Sequence, residues 1–361
     1  MSKQSSARHA HLSELHIRIS GDCGDQDVNE IQAEVQALFR RTLRGSLHLH
    51  KLLVSRSSIT PWLGPILDDE LTSVKTLIIH TTCHHDLESL PTLPRSQVTN
   101  ISFRYHAPTI ESESFPRFKT CLETHKDTVQ YLHVAADIDT FPSKDVVFPC
   151  LRYLNLGILH ARVPLEVLTK SCPNITHLTI RMTPHDLNAR LEENLRIQDD
   201  PSCRWTQLGK LTSDIATLAG MGLVSQVNHV VVMGVLTRKK HFTWLYYVIK
   251  DNCPKSLSIS LSSDPGDISL EPEVLGSFPH LKSLAVTVNV GQPYGTLLQF
   301  RIVSARFALF SRSKLRTLCA LSQASFDFFA SLPSCTSNFV WRPSKIRRIV
   351  GRRNFFAPFA I

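Results

Sequence analysis

A six-residue apolar spacing, Φ-x-x-Φ-x-Φ, recurs along most of this 361-residue chain, and three copies follow directly on a proline dipeptide. They are FPCLRYLNL (Phe148–Leu156), CPNITHLTI (Cys172–Ile180) and FPHLKSLAV (Phe278–Val286). A fourth, CPKSLSISL (Cys253–Leu261), places Ser256 at the first apolar position and Ile259 and Leu261 at the other two. Pro149 and Pro173 are 24 residues apart, Pro254 and Pro279 are 25, and the 81 between Pro173 and Pro254 divide into three units of 27. A fixed period of this length predicts stacked copies of one supersecondary unit.

The same hexad occurs without proline at Leu12-Leu15-Ile17, Leu49-Leu52-Val54, Val74-Leu77-Ile79, Val98-Ile101-Phe103, Val129-Leu132-Val134 and Val227-Val230-Val232, and weakly at Leu315-Leu318-Ala320. In all ten of these copies, the weak one included, the two residues after the first apolar position are polar or Tyr. Alternating side chains then give each strand one buried and one wet face. Between hexads lie helical stripes that stop at proline, as in PLEVLTKSCP (Pro164–Pro173) and HFTWLYYVIKDNCP (His241–Pro254), with EPEVLGSFP (Glu271–Pro279) a shorter version. Helix, stop and short strand in repetition predict parallel strands joined by right-handed crossovers. The expected fold is an α/β solenoid, strands on its concave face and helices on its convex face.

FPCLRYLNL, CPNITHLTI and FPHLKSLAV resemble the way leucine-rich repeats of the ribonuclease-inhibitor-like kind open each unit, and more narrowly the irregular arrays of fungal F-box proteins. The resemblance runs from about Leu12 to Val290; the F-box itself is not visible, and Asn29–Arg44 reads as an amphipathic helix inside the array. The array opens abruptly at Leu12, as expected of an N-terminally shortened member. What the resemblance implies is the substrate-recognition part of an F-box-type ubiquitin ligase receptor, with a Skp-type adaptor and cullin as partners if an F-box lies upstream. The alternative is a free-standing repeat scaffold with no ubiquitin link.

Charge divides the chain at about residue 300. From Arg301 to Ile361 there are eleven Lys/Arg and one acid, Asp327, whereas residues 1–300 carry 29 bases and 30 acids. The expected division is residues 1–290 as the solenoid and 291–361 as a degenerate last repeat with a poorly ordered basic tail. An electroneutral body argues against a nucleic-acid-binding fold. Ile215–Thr237 is uncharged and long enough to span a bilayer, but Gln226, Asn228 and His229 sit in its middle, so a helix followed by a buried strand is expected there. The start MSKQSSARHAHLSEL has no apolar core of a secretory signal. Nine cysteines without a CxxC pair, with Cys83, Cys121, Cys150, Cys172 and Cys253 beside apolar residues, read as small buried hydrophobes in a reducing compartment. The location expected is the cytoplasm, with Lys345-Ile-Arg-Arg348 and Arg352-Arg353 spaced for nuclear import.

Catalytic chemistry finds no motif. His80-Thr-Thr-Cys-His-His-Asp86 is the densest set of metal-ligand types, yet it reads as a solvated turn. Asp68-Asp69-Glu70, Glu192-Glu193 and Asp199-Asp200 read as solvated faces, because adjacent carboxylates diverge. No glycine-rich phosphate loop and no G-x-S-x-G is present. The chain therefore reads as a non-enzymatic protein-binding scaffold without metal or cofactor. Its partner is expected on the concave sheet, at Tyr131, His133, Arg152, Tyr153, Asn155, His177 and Thr179, residue types that anchor partners with little rotamer loss in the rings.

Overall fold

Nearly every apolar hexad becomes the start of a β-strand in the computed structural model, which describes residues 12–19, 28–43, 48–56, 63–81, 90–105, 116–135, 146–159, 165–182, 187–262, 280–290 and 296–303. The strands are β1 (Glu14–Ile19), β2 (Lys51–Arg56), β3 (Thr76–Thr81), β4 (Asn100–Tyr105), β5 (Tyr131–Ala135), β6 (Tyr153–Leu159), β7 (His177–Met182), β8 (Gln207–Asp214), β9 (Gln226–Leu236), β10 (Ser256–Ser262), β11 (Ser283–Val290) and β12 (Thr296–Val303). They form one sheet in sequence order. Strands β1 to β11 are parallel throughout, and β12 returns antiparallel to β11. Seven helices are described: α1 (Val28–Leu43), α2 (Leu63–Glu70), α3 (Pro116–His125), α4 (Leu165–Ser171), α5 (Leu187–Gln198), α6 (Ile215–Met221) and α7 (Lys239–Asn252).

The hexad's two-residue gap has a backbone cause that side-chain alternation alone does not supply. Its first apolar residue lies before the strand, buried, as Leu49, Val74, Val98, Val129, Leu151 and Ile175 are. The next two N–H groups then donate to one carbonyl of the preceding unit. Ser13 accepts from His50 and Lys51, His50 from Lys75 and Thr76, Lys75 from Thr99 and Asn100, and Thr99 from Gln130 and Tyr131, all at 2.7–3.1 Å. The pattern continues through Gln130, Arg152 and Thr176, and again at Lys255. Two residues set against one neighbour make a bulge that turns both of their side chains off the core. Polar residues at those two positions therefore cost nothing.

Beyond the bulge, alternation takes over. Strands β3 and β4 bury every second residue, and Leu52, Leu77, Ile101, Leu132, Leu154 and Leu178 stand in register across six strands. Helix residues close over this face in a single apolar core, for example Phe118 of α3 stacked on Phe103 of β4 with ring centroids 4.3 Å apart. Helix α7 buries Phe242, Leu245, Val248, Ile249 and Asn252 on one stripe and ends at Cys253, whose φ of 43° is left-handed. Pro254 follows, unable to continue the helix.

Register corrects the sequence alignment in two places. Leu257 pairs with Val230 and Leu284, so Pro254 itself fills the first buried position of β10 and the hexad lies two residues earlier than Ser256 would place it. The interval between Pro173 and Pro254 does hold three units, but unequal ones, stepping from Leu178 to Leu211 to Val230 to Leu257. Strand β8 escaped the pattern because Ser213 takes its third apolar position; that hydroxyl donates to the Ile180 carbonyl. Ile215–Thr237 resolves into α6 and β9, and among the described residues no helix is long and apolar enough to cross a membrane. The weak hexad at Leu315, the segment Glu271–Pro279 and the basic tail lie outside the described residues.

Two further expectations are corrected. Asp68 is no solvated carboxylate. Its Oδ1 accepts from the backbone N–H groups of Thr92 and Leu93, both at 2.6 Å, and its Oδ2 from Thr92 Oγ1 and from Arg117 Nη2 at 3.2 Å. Arg117 Nε also donates to the Leu90 carbonyl, so one carboxylate from α2 and one guanidinium from α3 hold the turn before β4, where Leu93 takes a φ of 50°. Cys150 is exposed rather than buried, because it lies in the tight turn between Phe148 and Leu151; Cys121 and Cys172 are buried as thiols, and Cys253 is half-buried. Cys83 lies outside the described residues.

Candidate surface on the open sheet face

The helices cover one face of the sheet, and side chains on the other stand in rows that run across the strands. The first row follows the bulge: Glu14, Lys51, Thr76, Asn100, Tyr131, Tyr153, His177, Lys210 and His229 are successive register partners. Two residues on comes a middle row containing Ser102, His133, Asn155, Thr179 and Thr212. A third row sits at the strand ends, with His80, Arg104, Ala135 and Gly157 in register. Arg181 follows on β7, opposite the irregularity of β6 between Leu156 and Leu159.

Six of the seven residues chosen from sequence fall in these rows on β5, β6 and β7. Tyr131 and Tyr153 lean together with ring centroids 6.4 Å apart, and Tyr153 stacks on His177 at 4.4 Å. This makes a continuous ring platform in which Tyr153 is 45% exposed. Asn155 and Thr179 are half-buried beside it. His133 departs from expectation. It is buried, and its Nδ1 is 3.2 Å from Ser102 Oγ, because its ring is packed in the middle row between β4 and β6. Arg152 lies outside these rows. It occupies the bulge before β6, where its Nη1 donates to the Asn174 carbonyl and its own carbonyl receives Thr176 and His177, so it staples neighbouring units at the sheet edge.

Electrostatics of the face are set by what surrounds the histidines. Burial, with Arg104 and His80 nearby, pushes the His133 pKa down to about 4. Burial and the Lys210 ammonium lower that of His177. Both rings are therefore mostly neutral near pH 7, and Nδ1 of each is already engaged, that of His133 by Ser102 Oγ and that of His177 by Thr176 Oγ1 at 2.9 Å. The fixed charges across β3 to β8 are Arg104, Arg181 and Lys210 against a single carboxylate, Asp214, among the described residues. Asp214 is already committed to the first turn of α6, its Oδ1 accepting from Thr217 N at 2.9 Å and its Oδ2 from Thr217 Oγ1 at 2.6 Å. The third row was missed in the sequence because the hexad ends one residue short of it; continuing the two-residue alternation would have reached Arg104, Ala135, Gly157 and Arg181.

Among the described residues metal-type chemistry is not assembled on this surface. Of the His80–Asp86 cluster, only His80 and Thr81 lie among the described residues, and among those residues no three His, Cys, Asp or Glu side chains are placed to hold an ion. Near the strand starts of β9 and β10, an open cavity of about 470 Å³ is lined by Trp205, Ser225, Asp251 and Asn252. Buried Ser225 Oγ and Asn252 Oδ1 find no protein partner there, and a polar site of that kind suits ordered water. No family model, curated protein or solved structure matches the chain.

Proposed function

We propose that the chain is a leucine-rich-repeat-like solenoid acting as a non-enzymatic protein-recognition scaffold, with the open sheet face as its docking surface. The observation that carries this reading is the in-register platform of Tyr131, Tyr153 and His177, bordered by Asn155 and Thr179, on strands whose opposite faces are wholly occupied by core. Flat, half-exposed rings on a rigid sheet offer contact area that needs little ordering on binding. Extending the resemblance to F-box proteins, the scaffold would be the substrate-recognition part of a ubiquitin ligase receptor in the cytoplasm or nucleus; without an adaptor it is a free-standing scaffold.

A photo-crosslinking side chain at Asn155, with a control at Glu123 on α3, tests the surface in cells that make the protein. Adducts with a partner protein from Asn155 and none from Glu123 are expected. Adducts from Glu123 alone would move recognition to the helical side. Affinity purification of the full chain separates the two roles: a Skp-type adaptor with a cullin marks the ligase receptor, and partners without either mark the scaffold.

A further inference from the structure

Among the described residues no carboxylate pairs with the permanent positive charge that Arg104 and Arg181 place on the recognition face, and the geometry points to an acidic segment of a partner protein as its occupant, seated over Ala135 and Gly157 between Arg104 and Arg181. This rests on the open face being the docking surface. The floor is low because its two central residues are the smallest available. A Cβ added at Gly157 would stand 3.2 Å from the Ala135 Cβ, a tight contact, so the floor between these two strands is little more than backbone and one methyl group. Arg104 and Arg181 flank that floor from β4 and β7, three strand steps or roughly 14 Å apart at the backbone. Both are exposed. Among the described residues Arg181 Nη2 has only the Met233 sulfur at 3.2 Å, a weak acceptor that a carboxylate displaces at little cost.

Three observations select an acidic polypeptide over other occupants. Asp214, the one carboxylate on the face of β3 to β8 among the described residues, caps α6 and does not neutralise the arginines. The chain's own last 61 residues, with eleven Lys/Arg and one acid, carry the wrong sign to fill the notch. Nucleic acid needs a longer track of cations, whereas three fixed charges over six strands, on a body whose first 300 residues carry 29 bases and 30 acids, match a few carboxylates. The neutral rings of Tyr131, Tyr153 and His177 then border the acidic residues with hydrogen-bonding and apolar surface, so specificity is shared between charge and shape.

Fluorescence anisotropy of a labelled deca-glutamate peptide with the full chain tests the assignment, with deca-lysine, a phosphoserine peptide and a ten-nucleotide oligouridine RNA as comparisons. The deca-glutamate is expected to bind at low salt and weaken as salt rises, and the double variant Arg104→Ala/Arg181→Ala to lose about tenfold or more in affinity. Ala135→Glu, which adds a carboxylate to the floor, should lose a similar factor; the control Lys119→Ala/Lys126→Ala on and after α3 should change nothing. Circular dichroism confirms that each variant is folded. Absence of deca-glutamate binding, or binding indifferent to the arginine pair, overturns the inference. So does tighter binding of the phosphoserine peptide or the RNA through the same arginines. If Asn155 still crosslinks to a protein while deca-glutamate fails, this assignment falls and the recognition face stands.

Discussion

Asp68 stands at the meeting point of four donors, and its loss would strand them all: two backbone N–H groups, a hydroxyl and the Arg117 guanidinium. With its carboxylate 15% exposed, Asp68→Ala is expected to destabilise the chain by about 2–4 kcal/mol in urea denaturation, and Asp68→Asn by less because it keeps an acceptor. A loss below about 0.5 kcal/mol would mean that the turn before β4 holds itself. His133 makes a different prediction. Its folded pKa is held near 4 by burial and by Arg104 and His80, below the ~6.5 of an unfolded imidazole. As pH falls between those values the unfolded chain takes up the proton first, so its contribution to stability is whole above about 6.5 and drains away toward 4. His125 adds to the same slope, since burial outweighs its bond to the Thr92 carbonyl and the nearby Asp68. Urea midpoints should fall from about pH 7.5 to about pH 5, and fall less in His133→Gln. An equal fall in both proteins would exclude His133 as a source. At this scale little was legible: adjacent acids look alike in sequence, and only the fold decides that Asp68 faces a turn twenty-four residues away.

Element α6 is bounded by two residues whose roles follow from backbone geometry. Asp214 satisfies the orphan N–H of its first turn, and Asp214→Ala should cost about 1 kcal/mol. Gly222 ends it at a φ of 53°, and an added Cβ would meet Leu191 Cδ1 at 2.6 Å. Gly222→Ala is therefore expected to cost about 1–3 kcal/mol, read as a lowered thermal midpoint. Gln198 of α5 locks the same turn, donating to the Gly222 carbonyl and accepting from Val224 N, both at 2.7 Å. If Gly222→Ala is neutral, the left-handed cap is not needed there. The helix and strand starts were readable because proline, glycine and apolar spacing act locally. Strand β8 was hidden because one buried serine, bonded to a neighbouring strand, replaces an apolar residue. The register of β10 was misread because Pro254 can fill a buried position as well as stop a helix.

Each strand pairs only with its neighbours in sequence, so cohesion along the molecule is a sum of local contacts. Leu77→Ala, at a fully buried site in β3, should cost about 2–5 kcal/mol and speed amide exchange in β2 to β4 far more than in β10 and β11. Uniform acceleration from end to end would instead mean that the sheet opens as one unit. The sequence by itself determined most of the residues that face the core, β8 and the register of β10 excepted, and that β1 to β11 run parallel in order. Those properties depend on apolar spacing within one unit, and on connections whose helical stripes carry the chain back to the same sheet edge. Tertiary structure alone decided which side chains meet within a row, as Tyr153 meets His177. Arg104, Ala135, Gly157 and Arg181 come from four separate units, and what aligns them is the single carbonyl shared by two N–H groups at each strand start, a bond that marks each unit with a polar pair but does not name the residues it sets side by side.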